Sequence, residues 1–196
     1  MRVLLAMILG FFAGSIPFGL IVGRQYGIDI RTKGSGNIGA TNVWRTLGDG
    51  PGLITFLLDL SKGAVPVALA IRVATEPMFP MLVGIAAILG HMYSPFVRFK
   101  GGRGAATGVG VLLGLTPGIF FIALLLFGVV TRCTRYVSVG SMATACAVPV
   151  MMAFTHQPGE YVLATALVAG LIIWRHMPNI ERLKKGTESK IGARTR

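Results

Sequence analysis

Sixteen of the 19 Lys and Arg residues in this 196-residue chain fall in four short segments, and long apolar runs separate those segments. The segments are 24–50 (Arg24, Arg31, Lys33, Arg45), 96–104 (Arg98, Lys100, Arg103), 131–138 (Arg132, Arg135) and 175–196 (Arg175, Arg182, Lys184, Lys185, Lys190, Arg194, Arg196). The apolar runs are 3–23, 53–74, 78–97, 105–131, 138–154 and 160–175. A helix needs about 20 apolar residues to cross the hydrocarbon of a bilayer, and most of these runs reach that length. Charged residues make up 13% of the chain, against about 25% in soluble domains. The pattern specifies an all-α integral membrane protein, read as one domain over 1–196.

Cationic loops stay in the cytoplasm. Six simple crossings cannot satisfy that rule, because with 24–50 inside the fourth would export Arg132, Arg135 and the basic tail. The conflict disappears if 105–131 enters and returns as a hairpin of two short legs, and "GLTPG" at 114–118 supplies the turn. The expectation is therefore seven transmembrane helical segments, with the N-terminus outside and the C-terminus cytoplasmic. Arg2 alone stands against it. The connections "ATEPM" and "THQPGE" carry no cation and belong outside. The first run reads as a retained helix, since it is too long for a signal peptide and no A-x-A cleavage site follows.

A net charge of +12 raises nucleic acid as a partner, but the basic clusters are split by apolar spans and no nucleic-acid motif occurs. Anionic headgroups or phosphorylated substrates fit better. Cys133 and Cys146 form neither a metal spacing nor a disulfide framework. No metal site, cofactor or obligate protein partner is expected.

Three polar stretches can carry chemistry. "RTKGSGNIGATNVWR", 31–45, has glycines that let backbone amides approach an anion, with Ser35, Thr41 and Asn42 as neutral donors. Its Arg45 can fork onto a phosphate, and the stretch holds no acid. "RFKGGRGAATG", 98–108, places Lys100, Gly101, Gly102, Arg103 and Gly104 before an apolar helix, where helix amides bind anions; the Walker order is absent. "RHMPNIERLKKGTESKIG", 175–192, contains His176, Asn179 and Glu188, which a merely lipid-bound basic tail does not need. Asp59 and Lys62 share a helix face and read as a buried pair supporting the polar site. His91 lies near the same boundary, and Arg135, Ser138 and Ser141 add donors.

In that order, "GSGNIGATNVWR", "LLDLSKG", "HMYSPFVRFKGGRGAATG", "TRYVSVGS" and "RHMPNIERLKKGTESKIG" resemble the bacterial acyl-phosphate:glycerol-3-phosphate acyltransferases of the PlsY type over nearly the whole chain. Arg103 stands where Lys is more usual in that family, with charge kept. The resemblance implies transfer of a fatty acyl group from acyl phosphate to the 1-hydroxyl of glycerol 3-phosphate. The products are lysophosphatidic acid and phosphate, in phospholipid synthesis at the cytoplasmic side of the bacterial inner membrane. The H-x4-D pair of acyltransferases that use soluble donors is absent; His176 and Glu181 imitate it only by coincidence.

On this reading Ser35, Asn42, Arg45, His176, Asn179 and Glu188 meet glycerol 3-phosphate. Gly36, Asn37, Thr41, Lys100, Gly101, Gly102, Arg103, Gly104 and Ser141 meet the acyl phosphate. Catalytic candidates are His91, His176 and Ser35. A transporter for a phosphorylated metabolite would use the same loops, but it should also show polar groups at the bilayer midplane or an internal repeat. The chain has few of the first and none of the second.

Overall fold

Proline and glycine punctuation sets where the helices of this chain break, as a computed structural model describing residues 1–74 and 76–192 shows. Helix α1, Arg2–Ser15, stops where Pro17 removes an amide hydrogen, and α2, Phe18–Gln25, resumes directly after it. Next come α3, Ala40–Leu47, and α4, Asp49–Val73, which meet at Gly48 with φ of 92°. Only a residue without Cβ adopts that angle freely. Helix α5 is Met78–Met92 and α6 is Ala105–Leu115. The remaining helices are α7, Pro117–Thr134, α8, Val137–Phe154, α9, Gly159–Arg175, and α10, Met177–Lys184.

Five helical segments are long and apolar enough to cross a membrane: Arg2–Gln25, Asp49–Val73, Met78–Val97, Pro117–Thr134 and Val137–Phe154. The pair α9 and α10, bent by 53°, makes a sixth. The break expected in "GLTPG" falls at Thr116, but the two legs are not both short. Helix α6 has 11 residues and α7 has 18. Pro117 takes the first position of α7, where its missing amide does no harm. The helix then runs on until Arg135 turns left-handed with φ of 66°.

Residues 24–50 and 175–192, read as loop and tail, each contain a short helix, α3 and α10. Thr75 of the "ATEPM" connection and the tail cations Arg194 and Arg196 lie outside the described residues.

The chain divides into two compact units, Met1–Leu115 and one beginning at Thr116. In the first, α1 packs on α5, and α4 packs on α6, α5 and α1. Lipid tails are as apolar as leucine, so helices in a bilayer gain from close backbone approach rather than from burial. Glycines permit it here. A side chain at Gly14 would run into the Ala87 carbonyl, one at Gly90 into the Phe11 carbonyl, and one at Gly110 into the Leu60 carbonyl. Large apolar side chains such as Leu4, Leu9, Phe12, Leu57 and Leu69 instead stand exposed on the outer faces, as lipid contact requires. In the second unit α8 packs against both α7 and α9.

Adding one methyl at a closed helix crossing should therefore be harmful. Gly14→Ala and Gly110→Ala are expected to lower the Tm of the detergent-solubilised protein, each through an overpacking cost of about 1–3 kcal/mol. Gly128→Ala, whose Cβ meets none of the described residues, should leave Tm unchanged or raise it.

Candidate active site

Both glycine-rich loops of the first unit rest on one apolar platform. Leu20 and Val22 of α2, Ile30, Ile38, Val43 of α3, and Val97 form a single buried cluster. Ile30 and Ile38 flank the first loop, and Val97 leads into the second. Gly19 of α2 passes so close below the first loop that a side chain there would meet the Ile38 carbonyl.

Asn42, buried on α3, is the internal brace of the first loop. Its Nδ2 donates to the Ile30 carbonyl at 3.1 Å and the Lys33 carbonyl at 3.0 Å, and its Oδ1 accepts the Ser35 amide at 2.9 Å. Both amide hydrogens are thus engaged inside the loop. This corrects the expectation that Asn42 is a donor to substrate: it shapes the loop from beneath.

Gly34 and Gly36 take positive φ of 56° and 69°, which the tight turn closed by Gly36 N–H on the Lys33 carbonyl requires. Asn37 Oδ1 accepts the Gly39 amide at 2.7 Å and so orders the entry to α3. Ser35 stands exposed at the tip. Thr41 and Arg45 stand four residues apart on α3, on one helix face. Arg31 is engaged with Asp29, Nη2 to Oδ2 at 2.6 Å. Hydrogen bonds from the Arg31 side chain and amide lower the Asp29 carboxyl to about 2.

The second loop leaves α5 through a turn at Pro95–Val97, after which Arg98 and Phe99 both take left-handed φ, 53° and 61°. Non-glycine residues rarely do so, and two in succession reverse the chain sharply. Lys100 is exposed and Arg103 half-buried. The Gly101 amide donates to the Met92 carbonyl at 3.2 Å and the Gly102 amide to the His91 carbonyl at 3.0 Å. These two amides were expected to face an anion. They tie the loop down onto α5 instead.

In the second unit the tail runs along the start of α8. Ile191 N–H donates to the Arg135 carbonyl at 2.8 Å, Lys190 Nζ lies 5.8 Å above the Tyr136 ring, and Ser138 Oγ donates to Glu188 Oε1 at 3.0 Å. The buried Glu188 also accepts Asn179 Nδ2 at 2.7 Å and Arg182 Nε at 2.7 Å. Burial raises its carboxyl, but the hydrogen bonds from Asn179, Arg182 and Ser138 together outweigh it and hold the group below its ordinary 4.5. Glu188, expected at a substrate, is thus the hub that fastens the tail.

Asn179 is buried with Nδ2 on that hub, and its Oδ1 has no partner among the described residues. Buried His176 sits at the bend between α9 and α10, with Nδ1 at 2.8 Å from the Ile172 carbonyl. A carbonyl only accepts, so Nδ1 carries the hydrogen and the lone pair of the neutral ring is on Nε2. Ser141 lies on α8 one turn beyond Ser138.

Sequence reasoning singled out these polar residues but missed α3 and α10, the elements that carry Arg45 and Asn179. The available signals were Gly39 and Gly48 bounding "ATNVWRTL", and Pro178 at a helix start.

The residue pattern has known relatives. A family model described as glycerol-3-phosphate acyltransferase matches residues 4–186. A glycerol-3-phosphate acyltransferase of Geotalea daltonii is 42% identical over 94% of this chain and 96% of its own length. One of Geobacter sulfurreducens is 45% identical over 93% of this chain and 94% of its own. Two crystal structures of PlsY, an integral membrane glycerol 3-phosphate acyltransferase, are each 34% identical and cover 98% of this chain and 96% of their own. The glycerol 3-phosphate form superposes with a TM-score of 0.93 and the lysophosphatidic acid form with 0.91.

The Glu188 hub makes a pH-dependent prediction. A carboxyl lowered on folding stabilises the fold above its unfolded value, and that contribution disappears as pH falls through the lowered folded value. Glu188→Gln should therefore lower Tm near neutral pH, and its difference from wild type should close as pH drops below 4.5. A difference that stays constant across thermal scans at these pH values would contradict the charged hub.

Proposed function

Because this chain belongs to the glycerol-3-phosphate acyltransferase family, we propose that it acylates the 1-hydroxyl of glycerol 3-phosphate with acyl phosphate as donor. Lysophosphatidic acid and inorganic phosphate are the products. The observation that carries this reading is the distribution of charge. Asp29, Asp59 and Glu188 each stand on a cation of their own, Arg31, Lys62 and Arg182. These three carboxylates are thereby neutralised, segment 98–104 holds no acid at all, and Arg45, Lys100 and Arg103 supply positive charge for two phosphate groups.

Arg45, Ser35, His176 and Asn179 hold glycerol 3-phosphate, with the Asn179 Oδ1 as an acceptor for a hydroxyl. Lys100, Arg103 and the amides following Gly104 are assigned to the acyl phosphate, with the Thr41 and Ser141 hydroxyls as further donors. Gly36, whose amide is taken up by the Lys33 carbonyl, and Asn37, whose Oδ1 holds the Gly39 amide, shape the first loop instead. Asn42, Gly101, Gly102 and Glu188 keep these groups in place.

The hydroxyl oxygen attacks the acyl carbon. The carbonyl becomes an oxyanion, re-forms, and the bond from the acyl carbon to the phosphate oxygen breaks. The hydroxyl proton passes to the departing phosphate or to His176 Nε2. An acyl phosphate is already activated, so alignment supplies much of the rate, and fixed donors stabilise the developing charge.

The chain acts as one catalytic domain in the bacterial inner membrane, with seven helical segments, the N-terminus outside and the cationic loops at the cytoplasmic face. In that arrangement α6 is too short to span alone and is shielded by α4 and α5, on which it packs.

With purified protein, acyl phosphate should support turnover and acyl-coenzyme A should not; comparable rates from both would exclude this donor assignment. Arg45→Ala and Lys100→Ala should each lose about ten- to a hundred-fold in kcat/KM, the effect of one charge-assisted hydrogen bond. Arg45→Lys should recover little, because an ammonium lacks the planar fork. Lys184→Ala, on the exposed face of α10, should turn over like wild type.

A further inference from the structure

Three ionisable side chains lie in the helical core and take no part in the reaction above. Asp59 and Lys62 are 2% and 6% exposed on α4 and pair at 2.7 Å. His91 of α5 is 4% exposed and brings Nδ1 to 3.7 Å from the same Asp59 oxygen. Charges at such depth are expensive, and a buried ion pair contributes no more stability than well-packed apolar residues of the same volume. Stability alone therefore gives no reason for the cluster.

Its contacts lead to both substrate loops. Lys62 Nζ donates to the Ile16 carbonyl at 2.9 Å, at the break from which α2 departs, and α2 carries the first loop. Thr107 of α6 donates to the Asp59 carbonyl at 3.1 Å, just beyond the second loop. The His91 carbonyl accepts the Gly102 amide, and the His91 ring fills the space a side chain at Gly102 would take. The second loop thus lies on His91, with Asp59 and Lys62 behind it.

We propose that Asp59, Lys62 and His91 are positioning residues that set the second loop, and with it Lys100 and Arg103, against the first. His91 acts as a strut rather than as a base. The inference rests on the reading that loop 98–104 holds the acyl phosphate. Lys62 fixes Asp59, Asp59 orients the His91 ring, and the ring props Gly102 between the two cations. Misplacing a substrate-holding group by about 1 Å is enough to lower a rate by about a hundredfold, so the strut acts on catalysis without touching substrate.

Two sets of variants test it, assayed for KM of acyl phosphate, kcat and Tm. The double variant Asp59→Asn/Lys62→Met removes both charges at similar volume and leaves no orphan charge. In folded protein its KM should rise about tenfold, the factor of one lost charge-assisted contact. Wild-type KM and kcat in a folded double variant would overturn the proposal.

The second set is a cycle at the strut itself. Gly102→Ala should lose activity because its methyl meets the His91 ring, whereas Gly102→Ala/His91→Ala should be no worse than His91→Ala alone. Losses that simply multiply would overturn the proposal, and this cycle decides alone if the neutral pair does not fold. Lys100→Ala separates the two readings. A raised KM there with an unmoved KM in the Asp59/Lys62 variant refutes the strut only. An unmoved KM in Lys100→Ala refutes the loop reading and this inference with it.

Discussion

A charge in or beside a bilayer needs a countercharge, and the allotment of partners organises this protein. Three acids each stand on a cation a few residues away, Asp29 on Arg31, Asp59 on Lys62 and Glu188 on Arg182, while Asp49 is held by the Trp44 indole N–H instead. Each pair also does structural service. The first orders the start of the glycine loop, the second ties α4 to the α1–α2 break, and the third fastens the tail to α8. Cations outnumber acids in both glycine-rich segments, so the loops keep a positive potential for anions. Two phosphates repel each other, and a site that brings them together must supply that potential.

Backbone glycine serves two purposes that sequence alone does not separate. Gly14, Gly90 and Gly110 let helices touch in a solvent that gives no hydrophobic reward for packing. Gly34 and Gly36 let a loop turn tightly. Gly101 and Gly102 look like anion-binding glycines, yet their amides bond to the carbonyls at the end of α5. Their lack of a side chain lets the loop approach His91 closely.

Much of the architecture was legible because a bilayer imposes few options. Apolar runs mark the helices, cations mark the loops between them, and "GLTPG" marks a break within one long run. The unequal lengths of α6 and α7 were not legible, because Thr131–Thr134 read as loop chemistry until Arg135 is seen to end the helix. Helices α3 and α10 were hidden by their polarity and their eight-residue length. At the candidate site, residue type singled out polar segments but not what each side chain does within them. Asn42 and Glu188 are as polar as Arg45 and Asn179, and only their hydrogen-bond partners reveal them as braces.

On the proposed reading, two phosphate groups are gripped together while an acyl group passes between their owners. The most direct measurement counts phosphate and lysophosphatidic acid simultaneously, with purified protein, palmitoyl phosphate and either glycerol 3-phosphate or glycerol. Equal amounts of the two products are expected with glycerol 3-phosphate, and neither phosphate release nor acylation when glycerol replaces it. Phosphate release at an undiminished rate with glycerol, or release without acylated product, would contradict that reading.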